Sequence, residues 1–236
     1  MSKLSSGCRP YQLPGTECLQ YNRVQWQVMP SRAALLIHDM QKYYLRPLMG
    51  ESEKPGRRLI ENVKAIREAC VAAHIPVIYT VASPCERIEQ RGLLYDFWGG
   101  GMTNTVDDTE IVDEIKPDYS CDRIIVKHKY SAFYKSNLAD TLKALKTDQL
   151  IITGVYSHIG CMATALDALM RDIQVFYVGD AVGDFSVDFH MSSIATIGNC
   201  CGQIYLTEML KEALLPKTER NQVLVPQVGV MRSPLD

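Results

Sequence analysis

The sequence predicts an α/β fold: a three-layer α/β/α arrangement around a Rossmann-like, mostly parallel sheet of about six strands with helices on both faces. Three observations lead there. Short apolar, β-branched runs alternate with stretches of helical periodicity along the whole chain. The runs are apolar at consecutive positions, the pattern of strands covered on both sides. Several end in a polar or glycine residue where a turn begins, and strand carboxyl ends are where open parallel sheets bind ligands.

Residues 1–30 are rich in Pro, Gly and polar groups, with Tyr11, Leu13, Tyr21, Val24 and Trp26 scattered among them. They read as an extended arm laid across a single domain spanning 31–215. Ala33–Asp39 is the first strand and ends in a carboxylate. Arg57–Ala73 places Leu59, Ile60, Val63, Ile66 and Ala69 on one broad helical face. Ile75–Val81 is the second strand. Residues 83–107 form a long irregular segment holding Arg91, Trp98 and the Gly99–Gly100–Gly101 triplet, and a loop of that length in a compact domain is usually functional or a lid. A short helix or turn is expected over Asp108–Ile115. Arg123–Lys127 is the third strand, followed by a helix over Asn137–Leu145.

The stretch Ile151–Ile173, IITGVYSHIGCMATALDALMRDI, is the centre of the chain. Strand Gln149–Thr153 meets Gly154, then a short polar turn, then a helix from about Cys161 to Met170. The N-terminus of such a helix offers free N–H groups to developing negative charge. Val175–Val178 is the fifth strand, ending at Gly179–Asp180. A helix over Ser186–Thr196, a short edge strand Gln203–Leu206 and a helix Glu208–Leu214 follow. Residues 216–236 are a polar, Pro-punctuated tail.

The 236 residues suit one domain that buries about 70–75% of its unfolded surface. A formal net charge of −2 gives no basic footprint for nucleic acid. There is no apolar run long enough for a membrane span and no apolar core of a signal peptide, so a cytoplasmic protein is expected. The eight cysteines then read as free thiols. No cysteine pair at zinc-site spacing occurs, and neither a Walker A sequence nor a complete GxGxxG is present. No metal or cofactor is expected.

Three strands end in candidate reactive positions: Asp39, Lys127 and the Tyr156–Cys161 turn. In a parallel sheet these ends share one edge and converge. Burial raises a carboxyl pKa and a nearby ammonium lowers it; a carboxyl held near the working pH can deliver a proton. Cys161 has two readings. A thiol at a helix N-terminus has a lowered pKa and is a nucleophile, whereas most free cysteines are small buried hydrophobes. Spacing alone leaves both open.

Several blocks in order resemble the isochorismatase group of the isochorismatase-like (cysteine hydrolase) superfamily: SRAALLIHDMQKYYL from Ser31, RGLLYDFWGGGM from Arg91, IIVKHKYSAFYKSNL from Ile124, TGVYSHIGCMATALDALMRDI from Thr153 and GDAVGDFSVDFH from Gly179. The resemblance runs from about Tyr11 to Leu214. Amidases of that superfamily use an Asp–Lys–Cys triad with the cysteine seventh in a Gly-Val-x-x-x-x-Cys turn. Counted from Gly154, the seventh residue is Gly160, and Cys161 falls one place later, as in the isochorismatases. The resemblance also implies a cis peptide at Val155–Tyr156. It implies hydrolysis of the enol ether of isochorismate to pyruvate and 2,3-dihydro-2,3-dihydroxybenzoate, feeding 2,3-dihydroxybenzoate siderophores or related secondary metabolites.

On that reading Asp39 is the general acid and Lys127 positions and tunes it. Arg91 clamps a substrate carboxylate, since a guanidinium fork matches one bidentately. Tyr156 and the backbone around Gly160 hold the enolpyruvyl group, and Tyr43 and Trp98 wall the ring. The family's Gln-Pro after the second strand is replaced by Ala82 and Ser83, with Ser83 the expected substitute hydrogen-bonding group and a relative of isochorismate a possible substrate. The resemblance further implies a homo-oligomer, a dimer at least. With no carrier-domain serine motif in sight, a stand-alone hydrolase, or a chain cut before such a domain, is expected. Two other readings stand beside it: a cysteine amidohydrolase using Cys161, and a non-catalytic pathway scaffold.

Overall fold

A computed structural model describes Leu4, residues 8–50 and residues 54–215; the predicted tail 216–236 lies outside the described residues. Six strands form one sheet: β1 Ala33–His38, β2 Val77–Ala82, β3 Arg123–Lys127, β4 Gln149–Val155, β5 Gln174–Gly183 and β6 Gly202–Tyr205. They lie in the order β3-β2-β1-β4-β5-β6, and every neighbouring pair is parallel. Strand order reverses between β1 and β4, which makes their carboxyl ends the topological switch point where such sheets bind ligands.

The helices are α1 Lys42–Leu45, α2 Gly56–Ala72, α3 Ile88–Arg91, α4 Leu94–Trp98, α5 Val106–Thr109, α6 Leu138–Leu145, α7 Met162–Leu169, α8 Val187–Cys200 and α9 Thr207–Leu214. Strand alternation divides the core into two layers. Leu35, Ile37, Ile151, Phe176 and Val178 pack with Leu59 and Val63 of α2 and Leu210 of α9. Ala34, Leu36, Leu150, Ile152, Val175 and Tyr177 pack with Leu142 of α6, Ala165 of α7 and Ile194 of α8. That is the expected three-layer α/β/α architecture, and each strand is buried on both faces because each face has its own helix layer.

Most strand ends fall within a residue or two of the positions expected. β2 starts later, at Val77 after Pro76, because proline has no N–H to give a ladder. β5 departs further, reaching Gly183 instead of Val178. Its pairing with β4 jumps from Ile152↔Tyr177 to Gly154↔Val182, so Val178–Ala181 bulge out before the ladder resumes. In the bulge, Asp180 Oδ1 accepts from the backbone N (2.7 Å) and Oγ1 (2.8 Å) of Thr207 at the start of α9. The long segment 83–107, expected to be irregular, contains α3, α4 and the start of α5.

Two residues ahead of β1 bond to Asp184 and Phe185, at the carboxyl edge of the sheet. Arg9 N donates to Phe185 O at 2.9 Å, and the Tyr11 hydroxyl accepts from Asp184 N at 2.9 Å. Among the described residues no helix is long and apolar enough to cross a membrane, and the eight cysteines are free.

Candidate active site

Asp39 follows β1 directly and has φ 51°, in the left-handed region that asparagine and aspartate tolerate best among non-glycine residues. The side chain is buried. Its Oδ1 accepts from Thr80 Oγ1 at 2.7 Å, and its Oδ2 lies 2.8 Å from Lys127 Nζ. Lys127 closes β3 and donates a second bond to Lys129 O at 2.9 Å. Three adjacent strands thus bring Asp39, Thr80 and Lys127 together. Burial alone would raise the Asp39 carboxyl, but the Lys127 ammonium, with hydrogen bonds from Lys127 and Thr80, holds it below the usual carboxylate range. In the unliganded site the nearby ammonium outweighs burial, and the balance favours the carboxylate form of Asp39.

His38, the last residue of β1, is fully buried, and burial pushes its imidazole down to about 4. A neutral ring fits its surroundings. Nδ1 lies 2.9 Å from Val155 O, an acceptor, so Nδ1 carries the proton and Nε2 accepts from Thr164 Oγ1 at 3.3 Å. His38 is 3.6 Å from Asp39 Oδ2, but a neutral ring makes no ion pair there.

The turn after β4 begins with the Val155–Tyr156 peptide, which is cis as the resemblance implies. Gly154 has φ 110° and pairs with His38 across the ladder, where a Cβ would overlap the His38 carbonyl oxygen. Residues Ser157–Cys161 form a single π-helical turn leading into α7. Gly160 faces the cleft. Cys161 does not: it is fully buried in the opposite core layer with Leu36, Ile152 and Tyr177, and burial raises its thiol well above the ordinary value. This answers the question that spacing left open, and the cysteine amidohydrolase reading falls with it.

A cleft of about 660 Å³, its open mouth included, lies over Asp39, Lys127 and Gly160. Tyr43, Ala82, Arg91, Trp98 and Tyr156 all line it. Ser83 does not line it. The chain turns at Pro84–Cys85 directly beyond β2, and the Gln41 amide clamps both backbone groups of Ala82, accepting from its N at 2.8 Å and donating to its O at 3.3 Å. Ala82 therefore offers the cleft a methyl group, and Ser83 supplies no replacement for the missing glutamine.

Arg91 is largely pre-engaged. Its Nε donates to Gly99 O at 2.8 Å, and Nη1 sits 3.5 Å from Glu86 Oε2. Nη2 has no partner among the described residues and is the edge left for a ligand. Lys129 Nζ donates to the Arg91 carbonyl. Trp98 Nε1 donates to Tyr130 Oη at 2.9 Å, while its ring stacks on Phe185, which stacks in turn on Tyr156 at 4.1 Å between centroids. The Tyr156 hydroxyl donates to Tyr44 O.

Sequence reasoning missed Thr80, Glu86, Tyr130, Phe185 and Leu4, which also lines the cleft. Thr80 had a usable signal: a lone hydroxyl inside a buried apolar run needs a partner. Glu86 lies in a stretch without periodicity and had none.

A family model described as the isochorismatase domain matches residues 33–209. Enterobactin synthase component B of Escherichia coli (strain K12) is 42% identical over 228 residues, covering 96% of this chain and 79% of its own length. The isochorismatase of Bacillus subtilis is 38% identical over 206 residues, with 87% and 65% covered. Phenazine biosynthesis protein PhzD of Pseudomonas fluorescens is 40% identical over 199 residues, with 84% and 94% covered. Among solved structures, a cysteine hydrolase from Pseudomonas syringae pv. phaseolicola superposes with TM-score 0.73 at 22% identity, covering 81% of this chain and 96% of that one. At that identity it speaks for the fold alone. With the family model spanning the sheet from β1 into α9, and relatives of this identity over most of its length, the chain is a hydrolase that belongs to the isochorismatase family.

Proposed function

We propose that the cleft hydrolyses the enol ether of isochorismate, giving pyruvate and 2,3-dihydro-2,3-dihydroxybenzoate for siderophore or related secondary-metabolite biosynthesis. The observation that carries this reading is a buried carboxyl, Asp39, held by Thr80 and Lys127 beside a turn position that has no side chain. Such a site can move a proton and cannot form a covalent intermediate at Gly160. The names of the relatives support the substrate class.

Substrate carboxylate is taken by the Nη2 edge of Arg91 and by the remaining N–H of Lys127. Its negative charge beside Asp39, and the water it displaces, raise the Asp39 carboxyl, so a proton is taken up with the substrate. Asp39 gives that proton to the terminal methylene carbon. A C–H bond forms, the C=C pair is consumed, and an oxocarbenium ion remains next to the new carboxylate, which stabilises it. Water adds to the cationic carbon and returns a proton to Asp39. The hemiketal then collapses: its hydroxyl proton passes to the ring oxygen as the C–O bond breaks, and pyruvate and the dihydrodiol leave. Tyr43, Tyr156 and Trp98 form the aromatic wall against the ring, with Phe185 stacked on Tyr156 and Trp98, and the Ala82 methyl replaces a polar contact. The working form is a cytoplasmic homodimer, supported by the exposed Leu93 and Phe97 near the cleft mouth (79% and 67% exposed) and tested by sedimentation.

Pyruvate release coupled to lactate dehydrogenase, measured for isochorismate, chorismate and amino analogues, tests the assignment. Turnover of isochorismate that is lost in Asp39→Asn is expected. Equal background rates in both proteins would dispose of it.

A further inference from the structure

We propose that His38 fixes the reaction class of this site by filling the space that any side chain at position 160 would need. The contact is direct. A Cβ built on Gly160 would overlap Cε1 of His38 and stand 3.2 Å from both ring nitrogens. A flexible side chain could swing aside, but this ring is held at both ends. Nδ1 donates to Val155 O on β4 at 2.9 Å, and Nε2 accepts from Thr164 Oγ1 on α7 at 3.3 Å. Thr164 is itself fixed, since its Oγ1 accepts from Ala132 N at 3.0 Å. The ring is fully buried, so any movement has to displace close-packed neighbours.

Position 160 is where a nucleophile would matter. Gly160 lines the cleft together with Asp39 and Lys127, so a serine or cysteine there would stand beside both a base and an ammonium, the arrangement covalent catalysis requires. His38 forbids it. The neighbouring Cys161 cannot substitute, because it belongs to the opposite core layer. His38 touches no reacting atom. It is a positioning residue that commits the site to proton transfer and free water, and the histidine before Asp39 and the glycine at 160 form one unit: a side chain at 160 requires a smaller residue at 38.

A double-mutant cycle tests this. His38→Asn is the informative partner. Its amide nitrogen can occupy the place of Nδ1 and keep the bond to Val155 O, while Cε1, the atom that overlaps position 160, and Nε2 are gone. Thermal melting is recorded for wild type, Gly160→Ala, His38→Asn and the double variant. Gly160→Ala alone is expected to lower Tm by about 5–10 °C, as overpacking a dense site does. In the His38→Asn background the same change is expected to lower it by less than about 2 °C. Pyruvate release by the double variant should exceed that of Gly160→Ala by about tenfold or more. Equal Tm costs in both backgrounds would overturn the inference. If Gly160→Ala yields no folded protein, a folded double variant supports the inference, and an unfolded double variant beside folded His38→Asn overturns it. His38→Val, which vacates the same space, serves as the background if His38→Asn does not fold. The activity readout rests on the proposed reaction, whereas the melting readout does not. A wild type inactive on isochorismate would sink the proposed reaction and leave the cycle to decide the role of His38.

Discussion

The floor of the cleft carries Asp39, Thr80, Lys127 and Gly160 at the ends of four neighbouring strands, where each polar atom is tied to another element of the sheet. The roof, residues 83–105, carries Arg91 and Trp98 on two short helices and Glu86 just ahead of them, and its residues Ile88, Leu93 and Phe97 are exposed. Floor geometry is set by strand register, which a single residue cannot alter without moving a whole ladder. Roof geometry is set by a few side-chain bonds, such as Arg91 to Gly99 O and Trp98 to Tyr130. The difference assigns tasks. A proton transfer needs atoms held to a fraction of an ångström, whereas recognition of a substrate's outer groups tolerates a surface that closes over them.

If that division holds, floor variants lower kcat and roof variants raise KM, and steady-state kinetics can break it. Asp39→Asn gives the largest effect, a loss of about 10³–10⁴ in kcat measured by pyruvate release. Lys127→Gln follows, with kcat down by about 10² and a shifted pH profile. Without the ammonium that lowers it, the Asp39 carboxyl rises. The protonated form then persists to higher pH, so the limb of kcat/KM that falls with rising pH moves toward neutrality. Arg91→Lys, which keeps the charge and loses the fork, should raise KM by about tenfold with kcat within about threefold of wild type. An Arg91 variant that lost kcat and kept KM would show that the roof shares in the chemistry.

The smallest effect concerns stability. Burial pushes His38 and His190 down to about 4, below the ordinary histidine range. Between pH 6.5 and 4 the unfolded chain binds protons that the folded chain does not. Their contribution is whole above the unfolded value and is lost as pH falls through the folded one. A fall in Tm on acidification from pH 7 to 4 is expected, and His190→Gln, far from the floor chemistry, should make it shallower.

The floor was legible in the sequence because burial on two faces forces continuous apolar runs, and a run that ends in Asp39 or Lys127 stands out against them. The turn was legible from the offset between Gly160 and Cys161, whose outcome the structure explains through the ring of His38. Thr80 sat in a run read only as strand filler, although its hydroxyl holds the carboxyl in place. In the roof the sequence marks Arg91 and Trp98 but not how they are held. The roof is stabilised by contacts between residues far apart in sequence, such as Glu86 with His128 and Trp98 with Phe185, and no local period announces them. Ser83 was expected in the cleft and Glu86 was not, because position along an irregular segment does not reveal where its backbone turns.

The arm has a practical consequence for anyone handling the protein. Leu4 lines the cleft, and Arg9 and Tyr11 are fastened to the Asp184–Phe185 segment, whose Phe185 ring stacks on Tyr156 of the cleft. An affinity tag or fusion partner joined ahead of Met1 therefore stands only a few positions in sequence from a cleft-lining side chain. Preparations that differ only in that extension should be compared by their KM before their kinetic constants are pooled.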